Sequence, residues 1–592
     1  MNESISVVNE NSQGLKISYK IGVGLFIVGL FFLFNSHFDF STWGRFSFLK
    51  VLKLPFSDLV TYFISFGLMI AGSILFTYKS TAQLRLISVF SKRMTLYHFS
   101  SYVFAIIGLA IFFLAWFKLL PNEQSTLFLW SSLSALTISI GFYTYGNYAK
   151  ELAGIKNNYT YFNSLSSNGV LGWAVGVLLT FFYIQLYWNS KSLEGFIHLF
   201  DPLSFLLRGK AADQWFLYGT LYTFVILFLG IKFMIKYRHN RYQLIRTIVV
   251  ILSQLIFAYF LPHILEALNW NSAVDAKGDY LGYYNTNLIN TWPLNKDFFA
   301  DYSLDAMVQP AYQPIGMSYL VWGILMFLVV TPVATYYLGK RWYCSWFCGC
   351  GGLAETAGDS FRQLSSKSTK SWKIERWVIH SVMVFVLIFT IAILWTYFSG
   401  KEYAIGFFTV NKLGFFIGAS IILIFCGTVT YLGFKKYKSN WLGVATVVFA
   451  FILIFLILAF ALGNSNAFII KSTSLKKAYA FFIGSTFSGV IGVGFYPILG
   501  TRVWCRFGCP MAGYMGLFQR FKSKFRITTN GGQCISCGNC STYCEQGIDV
   551  RAYAQRQENI VRASCVGCGI CSAVCPRGVL KLENGPEEGR IK

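Results

Sequence analysis

The chain has 592 residues, of which 55% are hydrophobic, 19% aromatic and 13% charged, and its formal net charge is +25. Soluble globular proteins carry about 25% charged residues, so the composition excludes that class and excludes a disordered chain as well. The positive excess lies in short clusters between apolar runs, as in KYRHNRYQLIR (236–246) and KKYK (435–438), which fits membrane-flanking loops facing an anionic leaflet and argues against nucleic acid as a partner.

A spanning helix needs roughly 20 apolar residues. By that measure about twelve are predicted, centred near 20–36, 59–78, 100–118, 127–146, 168–187, 215–234, 246–267, 318–338, 377–399, 412–433, 441–463 and 480–499. The expected fold class is an all-α polytopic membrane protein with a small C-terminal α+β dicluster ferredoxin-like domain. The first run is followed by NSHFDF rather than a small-residue cleavage site, so it reads as an uncleaved helix. Basic loops at 79–99, 232–246, 339–376 and 435–440 alternate with poorer ones. That pattern puts both termini in the cytoplasm of a bacterium, with the chain in its inner membrane.

Four parts are expected: a seven-helix region (1–267), an extracytoplasmic loop (268–316), a five-helix region (317–516) and a cytoplasmic tail (517–592). The loop holds five Asp, two Lys and no Arg, which suits either a partner-facing surface or an ordinary solvated loop. The first region reads equally as a quinone module, a docking platform or a transport unit. In FLPHILEAL (260–268), His263 and Glu266 stand near a helix end, as proton acceptors for a quinol or as an interfacial pair. Of the six histidines, His98 and His380 lie near inner helix ends and His37 and His263 near outer ones; nothing more points to haem. C-x-x-C-H is absent, so c-type haem is not expected. Cys426 reads as a small packing residue.

Two stretches repeat one pattern. KRWYCSWFCGCGGLAE (340–355) and TRVWCRFGCPMAGYMG (501–516) each carry an arginine, an aromatic, Cys-x3-Cys and glycine. Cysteines four apart share one face of a helix. Pseudo-symmetry would then gather Cys344, Cys348, Cys505 and Cys509, with Arg341 and Arg502 favouring thiolates. A redox-active metal or iron–sulfur site, a redox-active thiol pair, and plain packing all fit this pattern.

LFQRFKSKFR (517–526) mixes apolar and basic residues like an interfacial helix. Beyond it, CISCGNCSTYC (534–544) and CVGCGICSAVCP (565–576) each read C-x2-C-x2-C-x3-C. In this bacterial ferredoxin spacing the fourth cysteine of each run ligates the other cluster. The expected ligand sets are Cys534, Cys537, Cys540 and Cys575 for one 4Fe–4S cluster, and Cys565, Cys568, Cys571 and Cys544 for the other. Structural zinc also takes four cysteines, but two interlocking runs favour iron. Pro576 follows Cys575, whereas Glu545 follows Cys544, and a carboxylate there predicts a lowered potential for its cluster.

Over about 318–592, the two Cys-x3-Cys motifs followed by a dicluster tail resemble the NosR/NapH family of membrane-bound polyferredoxins. The resemblance implies electron transfer between the quinone pool, or a cytoplasmic donor, and periplasmic respiratory reductases. Pro510 matches the family pattern, whereas the first motif has Gly349 and an additional Cys350 in that place. An S-G-A-T-like attachment site is absent, so covalent flavin is not expected. The function expected is a membrane-bound iron–sulfur electron carrier, with quinol oxidation as its candidate activity, joining a quinone or cytoplasmic donor to a respiratory reductase or oxidase. A membrane-anchored maturation factor for a metalloenzyme such as a terminal oxidase competes with it, as does a transporter with a redox-sensing tail.

Overall fold

The computed structural model describes residues 13–37, 58–77, 96–149, 170–269, 288, 290–308, 315–339, 342–405, 408–438, 440–468 and 470–583. Arg341, residues 270–287 of the long loop and residues 79–95 of the first basic loop lie outside the described residues.

Apolar runs free of interior proline build the first helices: α1 (Gln13–His37), α2 (Asp58–Thr77), α3 (Leu96–Trp116), α4 (Ser125–Thr144), α5 (Val170–Trp188) and α6 (Gln214–Lys236). Asp213 caps α6 by accepting from the Trp215 and Phe216 amides. α7 (Arg241–Leu255), capped by Asn240, runs on through a π-helical turn at Ile256–Phe260 to Asn269. α8 (Ile315–Leu325) likewise continues through a π-helical turn to Tyr337. α9 (Thr369–Gly400), α10 (Lys412–Tyr437), α11 (Asn440–Ala461) and α12 (Ser472–Tyr479) complete the membrane part, with a short hairpin of β1 (Tyr403–Ile405) and β2 (Phe408–Val410) between α9 and α10.

Among the described residues, eight helical segments are long and apolar enough to cross a membrane: Leu96–Trp116, Ser125–Ala149, Gln214–Lys236, Arg241–Ala267, Gly316–Tyr337, Thr369–Gly400, Lys412–Tyr437 and Asn440–Ala461. This corrects the expected count of about twelve. The described apolar stretches of α1, α2 and α5 are shorter, at Lys20–Leu33, Phe63–Gly72 and Val175–Trp188. The last expected helix is broken: α12 continues as a π-helix over Ala480–Ile491 and stops at a turn containing Gly492 and Gly494, after which Tyr496–Leu499 forms a short helix with Pro497 at its start. Glycine lets α1 and α2 pack tightly, since a Cβ on Gly29 or Gly72 would collide with backbone of the other helix. α10 and α11 expose Ile421, Phe425, Val447 and Phe451, an apolar face suited to lipid.

The described part of the long loop is packed rather than free. Phe298, Leu304 and Met307 are buried against Tyr319, Leu320 and Tyr397. Trp292 donates to Thr390 Oγ1 at 3.0 Å, and Tyr397 donates to Asp305 at 2.9 Å.

At the other end of α8 and α9 sits the tail. α13 (Pro510–Lys522) leads to β3 (Arg526–Thr529), which pairs antiparallel with β4 (Leu580–Glu583), Ile527 facing Leu582. The expected interfacial helix at 517–526 is thereby corrected: helix ends at Lys522 and residue 526 already belongs to the sheet. Met511, Ala512, Met515 and Gln519 of α13 are buried, and Gln519 donates to Arg562 O at 2.6 Å. The segment packs against protein because its apolar residues face both the membrane part and the tail.

Candidate iron–sulfur sites and the paired cysteine motifs

Each cysteine run of the tail folds the same way. The first two cysteines lie in non-helical chain, and a glycine in the left-handed region (Gly538, φ 80°; Gly569, φ 74°) opens a one-turn helix at Asn539–Thr542 or Ile570–Ala573 that carries the third. Glycine is the residue that adopts this conformation without strain. The helices place the third cysteine inward and the fourth just beyond.

Two cavities result. One is lined by Cys534, Cys537, Cys540 and Cys575. The other is lined by Cys544, Cys565, Cys568 and Cys571. They are called here the open site and the docked site. Among the described residues, no group of three or more His, Cys, Asp or Glu is arranged to hold a single metal ion. Each set of four cysteines instead lines one shared cavity. Burial pushes the bare thiols of Cys540 and Cys544 up to about 11, so thiolates there need a cationic centre to compensate them. The donor set and the cavities fit 4Fe–4S clusters.

The two sites differ in surroundings. Cys537 of the open site is exposed. The docked site is covered by the membrane part: Tyr242 Oη donates to Gly567 O at 2.8 Å, and Gln243 Nε2 donates to Cys568 O at 2.7 Å. Phe233 of α6 and Tyr237 just beyond its end bury against Tyr543 and Ile570. Part of the basic stretch 236–246 is therefore a docking surface for the tail, which its reading as a leaflet-facing loop did not anticipate.

The paired motifs share a geometry that sequence reading missed. A helical turn (Trp342–Trp346; π-helical at Trp504–Gly508) carries the first cysteine, and the second stands in extended backbone as the N-cap of the next helix. Cys348 N donates to Tyr343 O at 2.8 Å and Cys509 N donates to Trp504 O at 3.0 Å, an equivalent bond in each copy. The cysteines four apart thus do not share one continuous helix face; the chain breaks at the second of them, where Gly349 and Pro510 follow.

The copies nevertheless meet. Cys344, Cys505 and Cys509 belong to one buried cluster, with Cys348, Cys350 and the docked-site Cys568 packed against it. A Cβ on Gly351 would collide with the Cys344 carbonyl, so glycine permits the close turn. The Cys350 side chain hydrogen-bonds Cys348 and, with the Gly351 and Cys350 amides, holds the Cys348 thiol below its usual range.

A buried ion-pair network joins these parts. Arg502 Nη1 donates to Cys344 O at 3.0 Å and lies 3.8 Å from Cys505 Sγ. Its Nη2 donates to Glu355 at 2.7 Å, and its Nε faces Glu545 Oε1 at 3.0 Å. Arg362 donates to the other Glu545 oxygen at 2.6 Å and to Asp359 at 2.9 Å. Lys236 reaches Asp359 at 2.6 Å, and Arg246 pairs with Glu355. Burial alone would raise the Glu545 pKa, but Arg362 and then Arg502 outweigh it and hold the carboxyl below its usual range. The carboxylate expected to act as a bare charge beside Cys544 is compensated. Four cations face three carboxylates in this network, and the surplus positive charge suits neighbouring thiolate clusters. A separate buried pair joins Arg506 to Glu375 at 2.7 Å.

Glu355, Arg246, Arg362 and Asp359 were not singled out from sequence. The available signal was the presence of carboxylates, Glu355, Asp359 and Glu375, inside the basic loop 339–376. Elsewhere, Glu266 pairs with Lys210 and lies 3.7 Å from both Arg208 Nη1 and His263 Nδ1. The His263 ring packs 5.1 Å from Phe216 and 5.0 Å from Tyr259. This ties α7 to the segment before α6.

Comparison with known proteins agrees with the geometry. The 4Fe-4S dicluster domain family matches residues 526–576. The 4Fe-4S binding domain family matches twice, at 320–368 and 482–528, once over each Cys-x3-Cys motif. The putative electron transport protein YccM of Escherichia coli (strain K12) is 24% identical over 228 residues, covering 38% of this chain and 47% of that protein. The chain thus spans about half the length of this curated relative. No solved structure matches it. The chain is a multi-pass membrane protein carrying 4Fe–4S binding domains, related to YccM at low identity.

Proposed function

We propose that this protein carries electrons between a membrane quinol and a partner at the face where the tail docks. Bound 4Fe–4S clusters would supply one-electron transfer. Cys534, Cys537, Cys540 and Cys575 hold one cluster, and Cys565, Cys568, Cys571 and Cys544 the other. Cys344, Cys348, Cys505 and Cys509 form a further redox or metal centre at the membrane surface. Residues 1–267 provide the platform on which the tail rests, through α6 and α7. The basic docking end faces the cytoplasm, by the positive-inside rule.

One observation carries this reading: Arg502 touches both Cys-x3-Cys copies and, through Glu545, the chain beside Cys544. Its guanidinium fixes the spacing between the paired cysteines and the docked site. The closely packed surroundings, with Cys568 against the same buried cluster, keep water out of the gap.

The test uses full-length protein in lipid nanodiscs with a menaquinol analogue as donor. In the Cys505→Ser/Cys509→Ser variant the tail keeps its iron and labile sulfide, but quinol no longer reduces it. Any iron beyond the tail's share is lost as well. Normal quinol-driven reduction with unchanged iron in that variant would show the paired motif to be structural and defeat the proposal.

A further inference from the structure

The open site presents a surface that the membrane part does not cover. Ile535 is 54% exposed. Around it Ser536, Cys537, Pro576 and Arg577 are exposed, and Arg551 completes the rim from the next helix. Among the described residues, Arg551 and Arg577 are the charged ones lining the cavity, and no carboxylate lines it. Arg551 Nη1 lies 3.8 Å from where a Cβ on Gly538 would stand, so its charge sits at the cavity mouth. The nearby Arg556 is instead paired with Glu558 at 3.1 Å.

An apolar centre within an arginine rim is the anatomy of a protein–protein contact. Electron exchange weakens steeply with distance, so a soluble partner must approach a site that solvent reaches. The docked site is closed by Tyr242 and Gln243; the open site is accessible. A basic rim steers and orients a partner of opposite charge.

We propose that the face around Ile535, Arg551 and Arg577 docks a soluble redox protein whose own centre is ringed by carboxylates. This rests on the reading that the open site holds a cluster. In the encounter one electron passes between the partner's centre and the open site. One is oxidised as the other is reduced, and no atom or proton is transferred.

The test takes the full-length protein in nanodiscs and, as probe, an acidic plant-type 2Fe–2S ferredoxin. Binding of the oxidised probe is measured by surface plasmon resonance, and electron transfer from the reduced probe by stopped flow. Arg551→Glu/Arg577→Glu should weaken binding by about tenfold or more at low salt and abolish its salt dependence. Arg551→Lys/Arg577→Lys should retain most of it. Cluster content by electron paramagnetic resonance, and reduction by photoreduced deazariboflavin (a small uncharged reductant), should match wild type in both variants. Unchanged binding and transfer rate in a charge-reversed protein that holds both clusters would overturn the docking proposal alone. Absence of an open-site cluster from the wild-type protein would overturn the electron-carrier reading and this proposal with it.

Discussion

The open and docked sites have one cysteine spacing, one pair of left-handed glycines and a four-cysteine cavity each, yet they face different worlds. The open site ends at an exposed isoleucine and two arginines. The docked site is roofed by α6 and α7, and its neighbour Glu545 is fully enclosed between Arg362 and Arg502. The cysteine spacing fixes the cage; residues distant in sequence fix what the cage is next to. The same motif can thus serve at two positions along one electron route.

This contrast breaks most severely at the ion pairs. Glu545→Ala leaves Arg362 and Arg502 buried with an uncompensated charge, a loss of about 3–5 kcal/mol. Glu558→Ala removes the partner of a half-exposed arginine near the open site and should cost less than about 1 kcal/mol. Thermal unfolding followed by loss of cluster absorbance compares them directly. Equal shifts would mean that the Glu545 network does not anchor the tail.

A smaller effect is expected at two glycines. Gly547 (φ 63°) and Gly578 (φ 61°) both occupy the left-handed region, which costs a residue with a Cβ about 1–2 kcal/mol. A Cβ at Gly547 would also collide with Ser366 O and the Arg506 guanidinium, whereas Gly578 has open space. Gly547→Ala should therefore lower the melting temperature clearly more than Gly578→Ala, because only the first disturbs the docked side.

The most local change is Gln243→Ala. It removes the donor to Cys568 O and the acceptor of Arg246 Nη2, a loss of about 1–2 kcal/mol. Hydrogen exchange should quicken at residues 565–571 and stay unchanged at 534–540. Equal quickening in both runs would show that the tail responds as one body and that α7 does not single out the docked site.

Sequence made the eight tail cysteines readable because their ligand logic is local: all eight stand within four residues of a run-mate, and left-handed glycines follow at fixed offsets. The repeat of Cys-x3-Cys was equally plain, but its backbone was not. Helical periodicity suggested one face, while the extended conformation at Cys348 and Cys509 breaks it; Pro510, favoured at the first helical position, marked that break in one copy. The network was hidden because Arg246, Glu355, Arg502 and Glu545 come from four separate segments. Glu545 looked like a bare charge for the same reason. Three of the excess predicted spans are α1, α2 and α5, whose described apolar stretches are short; the fourth is an apolar run that Gly492, Gly494 and Pro497 interrupt.

The central claim is that electrons from the membrane enter the tail at the docked site and reach the open site through it. The most direct measurement compares Cys568→Ser with Cys537→Ser in nanodiscs, each expected to retain about four of eight tail irons, during quinol-driven reduction followed by rapid-freeze electron paramagnetic resonance. Cys537→Ser should leave the docked cluster reducible by quinol at the wild-type rate. Cys568→Ser should leave an open cluster that photoreduced deazariboflavin reduces and quinol does not. Quinol-driven reduction of the open cluster at the wild-type rate in the Cys568→Ser protein would contradict the account.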